Sequence, residues 1–197
     1  MDPLLIDFPE RIETDRLILR SARPGDGPAV NAAVLETLDD LRPYMPWAQA
    51  APTLEASETD VRRMYGKFAL RQDMPLLMFE RGLDGCEGLY AGGTGLHRID
   101  WAVPRFEIGY WCRRSRQRRG YVAEAVVALS HFAFETLGAR RVEIRMDDRN
   151  EPSWRVAERA GYTLEGVLRQ DSLSPSGEPR DTRVYAKVRG IEFTMAS

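Results

Sequence analysis

The stretch EIGYWCRRSRQRRGYVAEA, residues 107–125, decides how this sequence folds. Its first six residues continue a strand that begins at Phe106, the next eight form a basic loop, and the last five open a helix. Apolar residues recur at helical spacing as far as Leu137, and Gly138 is the glycine that ends the helix. A strand follows over 141–146. A strand, a helix and a strand in series predict two parallel strands joined by a right-handed crossover.

The loop between this strand and this helix is strongly basic. Arginine occupies five of its seven positions from 113 to 119. The amides of a first helical turn have no partner within the helix and lie at the positive end of its dipole, which favours phosphate or pyrophosphate. Gly120 allows a ligand to approach the backbone closely. We therefore expect a site for a small polyanion; the alternative is a solvated loop that touches nucleic acid non-specifically.

The elements outside this unit complete a mixed α/β (α+β) architecture. The remaining strands follow one another closely and pair as hairpins, so we predict a mostly antiparallel sheet of about seven strands with one parallel pair. About four helices cover its faces, and residues 1–197 form a single domain. Gly92–Gly95 predicts a bulge or a close backbone approach within its strand. Strands are predicted over 16–20, 74–80, 89–97, 106–112, 141–146, 163–173 and 183–189, and helices over 27–38 (capped by Asp26), 54–72, 121–137 and 151–160 (capped by Asn150).

Composition narrows the functional class. The 197 residues carry 28 Lys and Arg against 30 Asp and Glu, a net charge of −2, and 43% are hydrophobic. This composition excludes general disorder and argues against a nucleic-acid coat. The two cysteines, Cys86 and Cys112, are expected to be reduced, and no run approaches the ~18 apolar residues of a membrane span. We predict a cytoplasmic protein, and the absence of His-x-x-x-His and Cys-x-x-Cys patterns predicts no metal site.

Several ordered motifs resemble one family. Gln117–Val122 is similar to the Gln/Arg-x-x-Gly-x-Gly/Ala acyl-CoA signature of the GNAT superfamily, although Val122 stands where the signature prefers Gly or Ala. The RimJ/RimL branch of that superfamily is the most similar, and the resemblance covers about residues 12 to 188. The further segments that carry it are residues 14–20, 41–47, 107–111, 120–125, 150–153, 158–162 and 165–169.

The resemblance implies a GNAT-like fold, acetyl-CoA as donor and a primary amine as acceptor. In the RimJ/RimL branch the acceptor is typically the α-amine of a protein, notably a ribosomal protein, and a homodimer is plausible. By position, the backbone of residues 111–113 pairs with pantetheine, and the amides of residues 118–123 hold the pyrophosphate. The expected cofactor-binding residues are Trp111, Cys112, Arg113, Gln117, Arg118, Arg119, Gly120, Tyr121, Val122, Ala123, Asn150 and Ser153.

Acetyl transfer to an amine needs a proton acceptor, because a free α-amine has a pKa of about 7.7–8.0. Glu107 is the candidate base, since it begins the strand beside the donor and apolar neighbours desolvate it. Alternatively, Glu107 is an exposed carboxylate or pairs with an arginine. Ser153 is the candidate proton donor to the leaving sulfur, and Asn150 orients Ser153 or the donor. Both residues also suit an ordinary helix start.

Other readings stay open at this stage. Cys112 would serve a ping-pong route through an acylated thiol, although no histidine or acid is adjacent to it in the sequence. Tyr44 and Trp47 wall a pocket or anchor packing, and a lone histidine such as His97 is more often a satisfied surface residue. The rival functions are acetylation of a small amine (an amino sugar, a polyamine or an amino-acid derivative), CoA binding without turnover, and nucleic-acid binding through the arginines.

Overall fold

The computed structural model describes residues 2–194 and contains one eight-stranded sheet in the order β1-β2-β3-β4-β5-β6-β8-β7. Neighbouring strands are antiparallel except β5 and β6, which are parallel and joined through α3. The strands are β1 (Arg11–Glu13), β2 (Leu17–Ser21), β3 (Met74–Arg81), β4 (Glu87–Asp100), β5 (Arg105–Cys112), β6 (Arg141–Asp147), β7 (Thr163–Leu173) and β8 (Pro179–Val188). The helices are α1 (Gly27–Leu41), α2 (Leu54–Ala69), α3 (Tyr121–Glu135) and α4 (Glu151–Arg159).

This architecture confirms the predicted fold class, including its single parallel pair and its four helices. The eighth strand is β1, which is too short at three residues to show an alternating pattern. Strand β8 begins at Pro179 rather than at 183, and α2 ends at Ala69 rather than at 72. The predicted bulge is present, because the register of β3 and β4 shifts where Gly92 has a φ of +147°.

The helices cover the two faces of the sheet in pairs. Helices α1 and α2 pack on β2, β3 and β4 through a cluster that includes Val34, Leu38 and Val61. Helices α3 and α4 pack on the opposite face, against a larger cluster that includes Phe106 and Ile108 of β5. Because strand side chains alternate between faces, Phe106, Ile108 and Tyr110 face α3 and α4, and Glu107 faces the other way.

The start of α1 corrects one prediction. Asp26 stands at the N-cap position but makes no capping hydrogen bond with its side chain. Its carboxylate instead binds the buried guanidinium of Arg20, at 2.7 Å and 2.8 Å. The cap comes from α2, where the Glu58 carboxylate accepts hydrogen bonds from the amides of Gly25 and Gly27. The buried Arg20 binds the carboxylate that was expected to cap the helix, and the local sequence does not reveal this contact.

The parallel strands β5 and β6 separate soon after they begin to pair. Their pairs run only from Arg105 with Arg141 to Glu107 with Glu143. Beyond that point β5 continues to Cys112 and β6 to Asp147 without pairing to each other. We call the gap between residues 108–112 and 144–147 the splay cleft. Helices α3 and α4 begin shortly after its two strands end, which is where open sheets containing parallel strands bind ligands.

Candidate active site

An anion-binding cradle lies at the start of α3. Arg118 and Gly120 have positive φ values of +60° and +80°, so the chain turns sharply into the helix. The amides of residues 118–123 have no acceptor anywhere in residues 2–194, whereas the next amide, that of Glu124, bonds to the Gly120 carbonyl oxygen. Six adjacent free amides at a helix N-terminus fit a pyrophosphate group. Val122 takes its place in this turn with its amide free like the others.

The basic loop before the cradle is less free than its composition suggests. Four of its five arginines pair with carboxylates of α1 and β3: Arg113 with Glu36 at 2.5 Å, Arg114 with Asp40 at 2.9 Å, and Arg116 and Arg119 with Glu80 at 3.0 Å and 3.6 Å. Arg118 alone has no acidic partner in the described part of the chain. Of the five arginines in the sequence cluster, the structure leaves Arg118 as the one without an acidic partner in the described residues, beside a row of free amides.

The unpaired edge of β5 offers main-chain groups to the splay cleft. The Arg113 amide bonds to Ala91 of β4 at 2.8 Å, and the Gly109 carbonyl oxygen accepts the Thr94 hydroxyl on the same side. Alternation then directs the main chain of Trp111 toward β4, and that of Tyr110 and Cys112 toward the cleft. Of the three residues expected to pair with pantetheine, only Cys112 presents its main chain to the cleft. Tyr110, which sequence reasoning passed over, is the second.

Gln117 lies where it can close the loop over this edge. Its side-chain amide lies 3.4 Å from the carbonyl oxygen of Cys112 and 3.3 Å from a carboxylate oxygen of Asp40. Arg119 is held from the other side, because Arg16 donates a hydrogen bond to its carbonyl oxygen at 2.9 Å. The loop residues expected to bind the cofactor are thus fixed in place by contacts with other elements.

Glu107 lies at the point where the two parallel strands separate. Its side chain is only 15% exposed, and Oε2 is buried with no hydrogen-bond partner in residues 2–194. The Arg98 guanidinium lies 3.4 Å from that oxygen without the geometry of a hydrogen bond. Burial raises the pKa of the Glu107 carboxyl group above its ordinary value, although the charge of Arg98 opposes the shift. Glu107 therefore pairs with an arginine, as one sequence alternative expected, but a desolvated carboxylate whose Oε2 accepts no hydrogen bond within this range is still suited to accept a proton.

A hydroxyl pair spans the far side of the cleft. The Tyr110 hydroxyl donates to the Ser153 carbonyl oxygen at 2.8 Å and accepts from the Ser153 hydroxyl at 3.1 Å. Asn150 caps α4, since its side-chain oxygen accepts from the Ser153 amide at 3.3 Å. Burial raises the pKa of the Tyr110 hydroxyl, so it stays protonated at neutral pH. The structure thus places Asn150 and Ser153 together at the cleft and adds Tyr110 to them.

The Cys112 thiol is poorly suited to act as a nucleophile. Burial raises its pKa to about 11, although Arg116 and Arg119 oppose the shift. At neutral pH the thiol is therefore protonated, whereas an acyl-accepting cysteine must be a thiolate. No histidine forms a hydrogen bond with it among the residues that the structure describes.

The loop between α1 and α2 contributes an aromatic wall. The Trp47 ring is half exposed and lies 6.0 Å from the Trp111 ring, which in turn meets Tyr90 at 5.9 Å. Trp111 lies flat on β4 because Gly93 opposite it has no side chain: a Cβ there would come within 2.7 Å of the indole nitrogen. Trp47 thus borders the cleft on the face that carries Glu107.

Residues 2–194 contain neither a metal-binding cluster nor a membrane-spanning helix. No group of three or more His, Cys, Asp and Glu side chains is arranged to hold a metal ion. None of the helices in this range combines the length and the apolar character needed to cross a membrane.

Known proteins share both the sequence pattern and this geometry. The model of the acetyltransferase (GNAT) domain matches residues 16–163. The protein named Uncharacterized N-acetyltransferase YoaA from Bacillus subtilis (strain 168) is 30% identical over 182 residues, 92% of this chain and 98% of that protein. The Ribosomal-protein-serine acetyltransferase of Escherichia coli (strain K12) is 31% identical over 146 residues, 72% of this chain and 79% of that one. A solved structure of RimL, the ribosomal L7/L12 alpha-N-protein acetyltransferase, in complex with coenzyme A has a TM-score of 0.80 at 26% identity, covering 91% of this chain and 98% of that one.

The matching family model and these relatives define the class of protein as an acyltransferase. The chain belongs to the GNAT acetyltransferase family and resembles its RimJ/RimL branch. It is an N-acetyltransferase, and its acetyl donor is acetyl-CoA. These findings confirm the family, the enzyme class and the donor that the sequence predicted.

Proposed function

We propose that this protein transfers an acetyl group directly from acetyl-CoA to the α-amine at the N-terminus of a protein, with ribosomal proteins as the first candidates. The observation that carries the choice of a protein acceptor is the open, polar half of the sheet face beside Glu107. Helices α1 and α2 pack on β2, β3 and β4 of that face, and the part formed by β5, β6, β8 and β7 lies beyond them. Such a face can accept an extended chain.

The side chains on this open face are charged and paired. Arg141 of β6 bonds to Glu165 of β7, and Arg145 of β6 bonds to Asp171 of β7 at 3.0 Å. Such a surface can exchange hydrogen bonds with the polar backbone of an incoming peptide, whereas it offers an apolar ligand little to bury against. The relative named as a ribosomal-protein-serine acetyltransferase supports the same acceptor class.

The donor side of the proposal rests on the free groups of the cleft. When bound, acetyl-CoA supplies an acetyl group activated as a thioester. The amides of residues 118–123 and the side chain of Arg118 hold its pyrophosphate, while the outward main chain of Tyr110 and Cys112 pairs with pantetheine as an added strand would. Gln117, Arg119 and Asn150 position this surface through the contacts described above.

Two residues of the chain then act on the amine and on the leaving sulfur. Glu107 accepts a proton from the acceptor ammonium, directly or through one water, which leaves a neutral amine able to attack. The Ser153 hydroxyl, which donates to Tyr110 before the reaction, turns its O–H toward the departing sulfur and stabilises the thiolate with a hydrogen bond. Transfer is direct, because the raised pKa of Cys112 leaves it protonated. The proposal includes the predicted cytoplasmic location, the single domain over residues 1–197 and a homodimer, which light scattering would test.

A panel of amines would test the acceptor. Release of the CoA thiol would be followed with short peptides that have a free N-terminus, with the same peptides blocked at the N-terminus but carrying lysine, and with spermidine, glucosamine and free amino acids. We expect turnover only with free α-amines of peptides, and mass spectrometry should place the acetyl group there. Turnover confined to the small amines would overturn the protein acceptor and favour the small-amine alternative.

A further inference from the structure

Titratable side chains form a row across four strands on the face that carries Glu107. Asp73, the residue before β3, lies opposite His97 of β4, since Met74 pairs with Leu96. His97 pairs directly with Glu107 of β5, and Glu107 pairs with Glu143 of β6. The row runs perpendicular to the strands and passes through the candidate base.

The His97 ring is held in one orientation. Asp73 Oδ1 lies 2.7 Å from Nδ1, which fixes that edge of the imidazole. The ring lies flat over two glycines, because a Cβ on Gly95 would come within 3.0 Å of Nε2 and one on Gly109 within 3.2 Å of it. Side chains at these two positions would displace the ring. Nε2 has no hydrogen-bond partner within residues 2–194 and points along the sheet surface.

The Glu107 carboxylate beside His97 also has an atom without a hydrogen bond within the described residues. Glu107 Oε2 is buried without a hydrogen-bond partner in the same range, and cross-strand neighbours place their Cβ atoms about 4.5–5.5 Å apart. The Glu107 carboxylate and the His97 imidazole are therefore cross-strand neighbours on one surface, with Arg98 3.4 Å from Oε2 and no hydrogen bond made by Oε2 or by Nε2 within the described residues. A single water molecule suffices to join the two groups.

Resting on the proposed function, we propose that His97 is a positioning residue that carries the proton away from Glu107 after each turnover. Glu107 takes the proton from the acceptor ammonium and becomes a neutral carboxylic acid. That acid O–H bond breaks as an N–H bond forms at Nε2, which restores the carboxylate and gives an imidazolium paired through Nδ1–H with the Asp73 carboxylate. The imidazolium then releases the Nε2 proton to water, since the His97 side chain is 31% exposed.

The surrounding charges favour this route. Asp73 precedes β3, Arg98 follows His97 on β4, and Glu143 and Arg145 lie on β6. The two carboxylates nearest the ring, Asp73 and Glu107, both stabilise an imidazolium. An imidazole can accept a proton at one ring nitrogen while it holds a hydrogen on the other, which a relay requires.

A double-mutant cycle would test the relay. We expect His97→Gln to lower kcat roughly tenfold, less than the 10²–10⁴-fold that is typical when a direct base is lost, with little change in the KM for acetyl-CoA. In the Glu107→Gln background the same substitution should cost nothing further, because the proton no longer passes through residue 107. Asp73→Asn should lower kcat in the same direction, and imidazole in the buffer should restore part of the activity of His97→Ala.

The control is His131→Gln, which removes the chain's other histidine from the exposed surface of α3 and should leave kcat unchanged. The relay would be overturned if the losses of the two single variants multiplied in the double variant, or if His97→Gln left kcat and the pH profile unaltered. In either case, turnover by the wild type would leave the proposed function standing. A wild type that releases no thiol with any amine would overturn the proposed function itself.

A measurement independent of activity guards against a variant that misfolds. In the His131→Gln protein, the ¹⁵N chemical shifts of the single remaining histidine report which ring nitrogen carries the hydrogen. The relay requires the neutral ring to hold it on Nδ1, bonded to Asp73, with Nε2 free. A hydrogen found on Nε2 instead would overturn the relay.

Discussion

The Tyr110 hydroxyl and Ser153 are joined by two hydrogen bonds across the splay cleft, one to the serine carbonyl oxygen and one from its hydroxyl. Tyr110 belongs to β5 and Ser153 to the first turn of α4, so this pair ties β5 to the helix that follows β6. Burial keeps the Tyr110 phenol protonated, so both groups of this pair carry a hydrogen at neutral pH. The proposed function uses the serine hydroxyl to stabilise the departing thiolate.

Loss of either hydroxyl should slow the reaction. We expect Ser153→Ala and Tyr110→Phe each to lower kcat about 10- to 100-fold, with a small effect on the KM for acetyl-CoA, because a water replaces part of the function. The matched control is Tyr162→Phe, which removes a buried tyrosine hydroxyl that bonds to Ser130 at 2.6 Å and not to Ser153. It should lower thermal stability and keep kcat. Equal kcat values in all three variants would remove the hydroxyl pair from the mechanism.

Glu107→Gln should lose activity and gain stability. We expect kcat/KM to fall at least about 100-fold and the rising limb of its pH profile to flatten. Because burial raises the pKa of Glu107, the native state binds this proton more tightly than the unfolded state. The free energy of unfolding therefore falls as the pH rises from the ordinary pKa of glutamate through the raised pKa of Glu107, because the buried group becomes charged. The Glu107→Gln variant cannot ionise at this position, so it should unfold at a higher temperature than the wild type at pH 7.

The control for this substitution is Glu135→Gln on the exposed end of α3, which should change neither readout. An unaltered pH profile in Glu107→Gln would assign the base role to another group. A melting temperature lower than that of the wild type would contradict the inference that burial of the Glu107 charge destabilises the protein.

Gly120→Asp should weaken acetyl-CoA binding about 10- to 100-fold by placing a carboxylate among the free amides of the cradle. Gly138→Asp is the control at the other end of the same helix, where φ is +67°, against +80° at Gly120, and a new side chain meets open space. Both variants carry similar backbone strain, so calorimetric titration with acetyl-CoA isolates the effect of position. Equal affinities would rule out the cradle.

Arg118 and Arg114 should differ although both belong to the same basic loop. Arg118→Ala removes the one cation of the loop without an acidic partner in the described residues, and we expect the affinity for acetyl-CoA to fall about tenfold and to depend less on salt. Arg114→Ala breaks an exposed pair with Asp40, which contributes little to stability because solvent screens it, and should leave binding within about threefold. Equal losses in the two variants would show that total charge, not the free arginine, holds the ligand.

The sequence predicted what depends on local periodicity. The crossover from β5 through α3 to β6 follows from alternation, helical spacing and Gly138, all within one stretch of chain. The pairing of Ser115 and Arg113 with Glu36 joins residues 79 and 77 positions apart, so composition suggested free cations where tertiary structure supplies carboxylates. Likewise, which residues of β5 face the cleft depends on the register with β4, and this is why Tyr110 was passed over in favour of Trp111.

The alternation of β5 places Glu107 and Tyr110 on opposite faces of the sheet, three positions apart. A single residue inserted between them would rotate one of the two to the other face, so that the proposed base and the tyrosine bonded to Ser153 would lie on the same side of the sheet. An extra residue in the loop after Cys112 would leave both side chains on their faces, but it would shift the free amides of the cradle, which the contacts with α1 and β3 hold in place. The spacing Glu-x-x-Tyr therefore sets the two faces of the cleft, and the length of the loop sets the position of the cradle.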